Sequence, residues 1–182
     1  MGSHLAEDLE ELLFRFAERA EPDERLRARI RAGVRLAMRA STSETRLLGT
    51  SLLYRRMREL AVRWARFRAE RLARALEVDR EDARDLGRIQ DWEDRLLGVT
   101  GHWTIESKRC ATKHETACPF ADLAARDTRI CTDLVHALES ETFSTLVPGY
   151  RLVPVGRLLS RGDGACEFRH ELPERAREHA RG

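Results

Sequence analysis

The chain has 182 residues, enough for one compact domain or for a helical region with a small domain attached. Hydrophobic residues make up 42% and charged residues 35%, but the charges balance to +2. A sizeable core is therefore expected, and a nucleic-acid footprint over the whole surface is not.

No apolar run is long enough to span a bilayer. The opening Met1-Gly2-Ser3-His4 reads as a tag remnant and is followed by acidic Glu7, Asp8, Glu10 and Glu11, so no signal peptide is visible. A cytoplasmic protein is expected, in which thiols stay reduced and four cysteines are not simply two disulfides.

Residues 5 to about 98 read as helix. Leu5, Leu9, Leu12 and Phe16 mark a first apolar face. Glu21-Pro22-Asp23 interrupts it, with Pro22 suited to the first turn of a second helix carrying Leu26, Ile30, Val34 and Ala37 inward. Its arginines Arg25, Arg27, Arg29, Arg31, Arg35 and Arg39 read as a solvated face before an anion-binding patch. Ser41 with Glu44 forms a capping-box pattern that starts a third helix. That helix bears the stripe Leu53, Met57, Leu60, Trp64 and Phe67, then Leu72 and Leu76. The stripe is long for one small domain to cover, so pairing of two copies into a homodimer is expected. Asp79 is the candidate cap of a fourth helix with Ala83, Leu86, Ile89, Leu96 and Leu97 inward.

Gly98 and Gly101 end the helical half. His102 to Glu106 alternates as a half-buried strand does, and residues 109 to 120 read as a loop. A helix with Ile130, Leu134 and Leu138 inward follows. A strand pair is then expected, near Tyr150 to Leu159 and Cys166 to Leu172, joined through Arg161-Gly162-Asp163-Gly164. The fold class predicted is α+β: an N-terminal helical region followed by a small antiparallel sheet with an inserted helix. The division expected is a helical region over 1–98, a cysteine-containing α/β domain over 99–172, and a charged tail over 173–182.

All four cysteines, Cys110, Cys118, Cys131 and Cys166, fall after the first 109 residues. Four thiolates complete either a zinc site or an iron–sulfur cluster. The spacing Cys110-x7-Cys118-x12-Cys131-x34-Cys166 is unlike a zinc knuckle. The expectation is therefore one shared centre, a 4Fe–4S cluster in preference to zinc. The alternatives are buried core thiols at Cys131 and Cys166 and a reactive thiol at Cys118 beside Pro119. His114 lies between two of the cysteines and is the candidate supporting donor to that centre. His136, five residues beyond Cys131, is placed too far round an α-helix to share its face, and His102 and His170 have no evident partner. No phosphate-cradling loop, HExxH or Ser-His-Asp order is present.

Trp92, the strand His102 to Lys108, the cysteine loop, Arg129-Ile130-Cys131-Thr132-Asp133 and the ending Gly162-Asp163-Gly164-Ala165-Cys166-Glu167-Phe168 together resemble a known family. Over about Asp82 to Leu172 the chain is similar to the L-2-amino-thiazoline-4-carboxylic acid hydrolase-like family and, more distantly, to the four-vinyl reductase-like sensor domains. The resemblance implies an antiparallel sheet with helices packed on it and a cysteine-rich metal site near an aromatic-ligand pocket. Cys131 and Cys166 match the metal-binding positions. Val155 and Leu158 stand where the sensors carry an acidic residue and a cysteine, which leaves Cys110 and Cys118 to complete the set. The function expected is a metal- or cluster-containing sensor or regulatory module with a small-molecule ligand. The alternative is a hydrolase of a small heterocyclic or sulfur-containing compound, for which no position matches a nucleophile or base.

Overall fold

The computed structural model describes residues 23–48 and 52–174. The expected first helix around Leu5 to Phe16, Pro22 and most of the charged tail lie outside the described residues. The fold is α+β, four antiparallel strands with helices before and after them.

Helix α1, Glu24–Leu48, starts on Asp23, whose Oδ1 accepts the Leu26 N–H at 2.8 Å. This side-chain cap satisfies a donor that the first turn leaves without an intrahelical partner. The helix runs on through Ser41 and Glu44, so the capping-box reading there is corrected. Thr42 is buried and returns its hydroxyl to the Met38 carbonyl at 2.9 Å, as serine and threonine do inside helices. Two of the arginines read as solvated instead turn back onto the protein. Arg31 pairs with Glu24, while Arg35 binds Asp122 and the Pro119 carbonyl.

Helix α2, Leu52–Ala75, buries Tyr54, Ala65, Arg68, Ala69, Leu72 and Ala73. Its inner face is thus offset from the stripe expected, and Leu53 and Leu60 are exposed. Small residues at 65, 69 and 73 let the helix approach a later helix, α6, His136–Leu146. The short α3, Ala83–Leu86, is capped by Asp82, whose carboxylate accepts from Arg84 N and Asp85 N; Asp79 is not the cap. Helix α4, Arg88–Leu97, ends at Gly98 with φ 78, a left-handed position that glycine adopts without a Cβ penalty.

Strands β1, Thr100–Ser107, and β2, Cys110–Ala117, form a hairpin, so the loop expected over 109–120 is mostly strand. Helix α5, Ala121–Ala124, follows, and then a π-helical turn, Ile130–Val135, that runs directly into α6. Strand β3, Arg151–Pro154, is shorter than expected, and a 3-10 turn at Leu159–Arg161 leads to β4, Cys166–Glu171. The sheet order is β1-β2-β4-β3.

Alternation along the strands sets two faces. Trp103, Ala111, Lys113, Glu115, Cys166, Phe168, His170 and Leu152 share the inner one by register. The main core joins that face to Ala69, Leu72, Leu86, Ile89, Trp92 and Phe143. It therefore contains residues from both sides of position 98. Phe143, 1% exposed between α2 and the sheet, is the kind of residue whose truncation to alanine costs about 3–5 kcal/mol.

Candidate functional site

The interior between α2, α4, α6 and the inner sheet face is charged. On β2, alternation points Lys113 and Glu115 inward. On α4, Gln90, Asp91 and Asp94 fall within one helical turn and face them. Arg68 comes from α2, and Glu139 and Thr142, three residues apart, come from α6.

Gln90 Nε2 donates to Glu115 Oε1 at 3.1 Å and to Glu139 Oε1 at 3.2 Å, which ties two buried carboxyl groups to one amide. Burial and then the charge of Asp94 push the Glu115 pKa up to about 7. Burial and then the charge of Glu115 raise Glu139 well above the usual carboxyl range, which favours its neutral form. Beside them Arg68 pairs with Glu93 and donates to Thr142 Oγ1 at 2.9 Å; burial lowers its pKa to about 9, which leaves it charged. Lys113 bridges Asp91 and Asp94 at 2.7 and 2.8 Å, and Asp91 also accepts from Trp103 Nε1 at 2.8 Å. Three buried atoms in this cluster have no hydrogen-bond partner among the described residues: Glu139 Oε2, Gln90 Oε1 and Arg68 Nε.

The cysteines divide between two locations. Cys166 stands opposite Glu115 in the β2–β4 register and its Sγ accepts the Leu159 N–H at 3.3 Å. Cys131 lies on the π-turn and packs against the main core and against a second cluster of Met38, Phe120, Leu123, Ala124 and Ile130, and Cys118 packs against that second cluster. Burial raises the pKa of each, to about 11 for Cys118 and about 12 for Cys166; the charges of Cys118 and Cys131 add to the rise at Cys166. These are protonated thiols at neutral pH, which are poor nucleophiles.

Cys110 is elsewhere. It pairs in register with Glu171, five residues up β2 from the Glu115–Cys166 pair, or about 17 Å along the strand. The odd spacing also puts it on the opposite face. There its thiol donates to Glu106 Oε2 at 3.2 Å and accepts from Arg169 Nε at 2.9 Å. His114 shares that outer face, bound to Thr104 Oγ1 at 3.0 Å and Glu167 Oε1 at 3.3 Å and stacked on His102 with centroids 4.9 Å apart. It does not support the inner thiols. The metal-binding, cysteine-cluster and hydrolase-like expectations are therefore corrected: among the described residues no group of three or more His, Cys, Asp or Glu is placed to hold a metal ion.

A cavity of about 130 Å³ opens beside the interior cluster, lined by Cys131, Thr132, His136, Leu158, Arg161 and Phe168. Cys131 and Phe168 of its lining also pack in the main core. His136, read as facing away from Cys131, shares this cavity and binds the Leu152 carbonyl at 3.1 Å. The π-turn accounts for the difference. In an i→i+5 turn, residues five apart stack, whereas in an α-helix they diverge. His170, without an evident partner in the sequence, is fully buried against Trp103 and Phe143 with the Tyr150 hydroxyl on its Nδ1, and burial lowers its pKa to about 3. Gln90, Glu115 and Glu139 were not singled out by the sequence reading. The available signal was a Glu at 139 and a Gln at 90 on otherwise apolar helix faces.

No family model matches the chain, and no curated protein matches it. Among solved structures it is similar to a trafficking protein particle complex subunit 3 from Naegleria fowleri covalently bound to palmitic acid, with a TM-score of 0.54 and 12% identity over 76% of this chain and 93% of that one. The likeness is one of fold, neither metal-binding nor hydrolytic by that description. Among the described residues no helix is long and apolar enough to cross a membrane.

Proposed function

We propose that the chain is a non-catalytic binding module, a sensor or regulatory subunit that takes a small polar molecule against Glu115, Glu139 and Gln90. The observation that carries this reading is the set of unpartnered interior atoms, Glu139 Oε2, Gln90 Oε1 and Arg68 Nε, around two buried carboxyl groups whose pKa values burial raises. Buried polar groups are normally satisfied, and each one left unpaired costs about 1–3 kcal/mol. A Glu115 carboxyl that titrates near 7, a Glu139 carboxyl whose pKa burial raises, and an amide offer donors and acceptors side by side. They suit an amide or a heterocycle that presents both in one plane. The polar interior sets this apart from the covalently bound palmitic acid described for the fold neighbour.

That neighbour is described as a subunit of a particle complex, which supports a place for this chain in an assembly. Exposed Leu36, Leu52, Leu53 and Leu60 on the outer sides of α1 and α2 supply an apolar face for a second copy. The module acts in the cytoplasm, where its four free cysteines stay reduced.

Thermal-shift measurement against a panel of small carboxamides and nitrogen heterocycles tests the ligand reading. Binders raise Tm for the natural protein, and the shift disappears in Gln90→Leu and Glu139→Leu. Glu139→Leu without ligand is at least as stable as the natural chain, since a site held for binding trades stability for function. No shift with any compound, together with a clear loss of stability in Glu139→Leu, rejects the reading.

A further inference from the structure

A second hollow shares Asp91, Asp94 and Lys113 with the interior cluster but is lined by none of Gln90, Glu115 and Glu139. It is a trough of about 530 Å³ between β1 and the helices α3 and α4, floored by Trp103 and walled by Val99, Gly101, Ile105, Arg84 and Arg95. Strand β1 is the terminal strand of the sheet, and among the described residues no strand pairs with its outer edge. It is eight residues long and regular from Gly101 to Ile105, with register irregularities only at its two ends.

An open edge of this length is normally protected by a proline, an inward-pointing lysine or a covering helix, because its free N–H and C=O groups template another strand. Here the central run has none of these. The inward position nearest the open end carries Ile105, 63% exposed. The indole of Trp103 is held upright by Asp91 and flanked by the Arg84 guanidinium at 5.0 Å. Arg84 Nη1 is buried and unpartnered among the described residues, although its Nη2 is held by Asp91. The two acids in the trough, Asp91 and Asp94, are both engaged by Lys113. The cationic side chains that line the trough beside Lys113 are Arg84, 33% exposed, and the exposed Arg95.

We propose that the β1 edge and this trough form a docking site for an extended segment of a partner protein, which adds a fifth strand beside β1 and places one carboxylate side chain on Arg84 and Arg95. Main-chain hydrogen bonds along β1 provide affinity, and alternate side chains of the segment enter the trough over Trp103 and Ile105. This is the division of labour in strand-addition recognition.

The full chain is titrated with two fluorescein-labelled pools of eight-residue peptides that alternate apolar and polar residues. One pool has a central glutamate and the other a central lysine. Anisotropy shows the glutamate pool binding at least about tenfold tighter, a difference of roughly 1.4 kcal/mol. Ile105→Lys, at an exposed position that tolerates the change, weakens binding at least about tenfold, and Arg95→Glu narrows the preference between the pools. Equal binding of the two pools, no binding of either, or unchanged binding by Ile105→Lys overturns the proposal. A two-copy mass in light scattering that Ile105→Lys converts to one copy also overturns it, since the edge is then taken by a second chain.

Discussion

Glu115 and His170 lie on the neighbouring strands β2 and β4, face the same interior, and oppose one another in their response to pH. The folded-state pKa of Glu115 is raised to about 7 by burial and by Asp94, so the fold favours its neutral form. Its contribution to stability is fully present below the unfolded value near 4.5 and is lost as pH rises to about 7. His170 has its pKa lowered to about 3 by burial, so its contribution is present above about 6.5 and is lost as pH falls toward 3. The two windows overlap, so urea unfolding across pH 4 to 8 is expected to show a plateau between about 4.5 and 6.5, where the opposite slopes cancel, and a fall on either side. Glu115→Gln flattens the upper limb by a few kcal/mol at most, and His170→Phe flattens the lower one. His170→Phe also lowers stability at neutral pH, because the Tyr150 hydroxyl loses its acceptor. An upper limb of unchanged slope in Glu115→Gln places the buried charge elsewhere. Neither residue was legible as special in the sequence, since a Glu and a His on strands are ordinary surface residues until the fold encloses them.

Among the elements, β2 was the one hardest to read. Its stretch Cys110-Ala111-Thr112-Lys113-His114-Glu115 is polar on both faces, because the inward positions Lys113 and Glu115 belong to the charged interior. The apolar alternation that reveals a half-buried strand is therefore absent, and the segment resembles a loop. Helix α1 misled in the opposite way: Ser41 with Glu44 has the letters of a capping box, but the helix had already begun at Asp23 and nothing stops it. Gly101 supports the β1–β2 pairing by its lack of a side chain. A Cβ there would lie 2.3 Å from the His114 carbonyl oxygen. Gly101→Ala is expected to force the strands apart and cost about 1–3 kcal/mol by denaturant unfolding. Gly33→Ala, at a helical position with nothing within 4 Å, should stabilise slightly through helix propensity. Equal stabilities for the two variants contradict the close approach of β1 to β2.

At the scale of the whole molecule, α2 faces two ways. Its inner face buries Ala65, Ala69 and Leu72 against α6 and the sheet, and Leu53 and Leu60 are exposed, as is Leu36 on α1. Light scattering at micromolar concentration tests the proposed pairing of copies on that side. A two-copy mass is expected, and Leu53→Lys with Leu60→Lys should reduce it to one copy while leaving the unfolding midpoint within about 0.5 kcal/mol equivalents, as exposed substitutions do. A one-copy mass for the natural chain removes the homodimer from the proposal.

The sequence by itself determined the α+β class, the change from helical to alternating period near Gly98, the inserted helix with Ile130 and Leu134 inward, and the Gly162 turn before β4, because each is a local pattern of period or of backbone permissiveness. Only the tertiary structure decided which side chains meet. The four cysteines looked like one set along the chain. Strand parity sent Cys110 and His114 to the outer face, while Cys118, Cys131 and Cys166 went inward beside Glu115. The π-turn brought His136 round to Cys131, and helix packing closed Gln90 onto Glu115 and Glu139 from three separate elements. Spacing along a chain carries no information about the face on which a residue emerges until the register of its strand or the pitch of its helix is set by what it packs against.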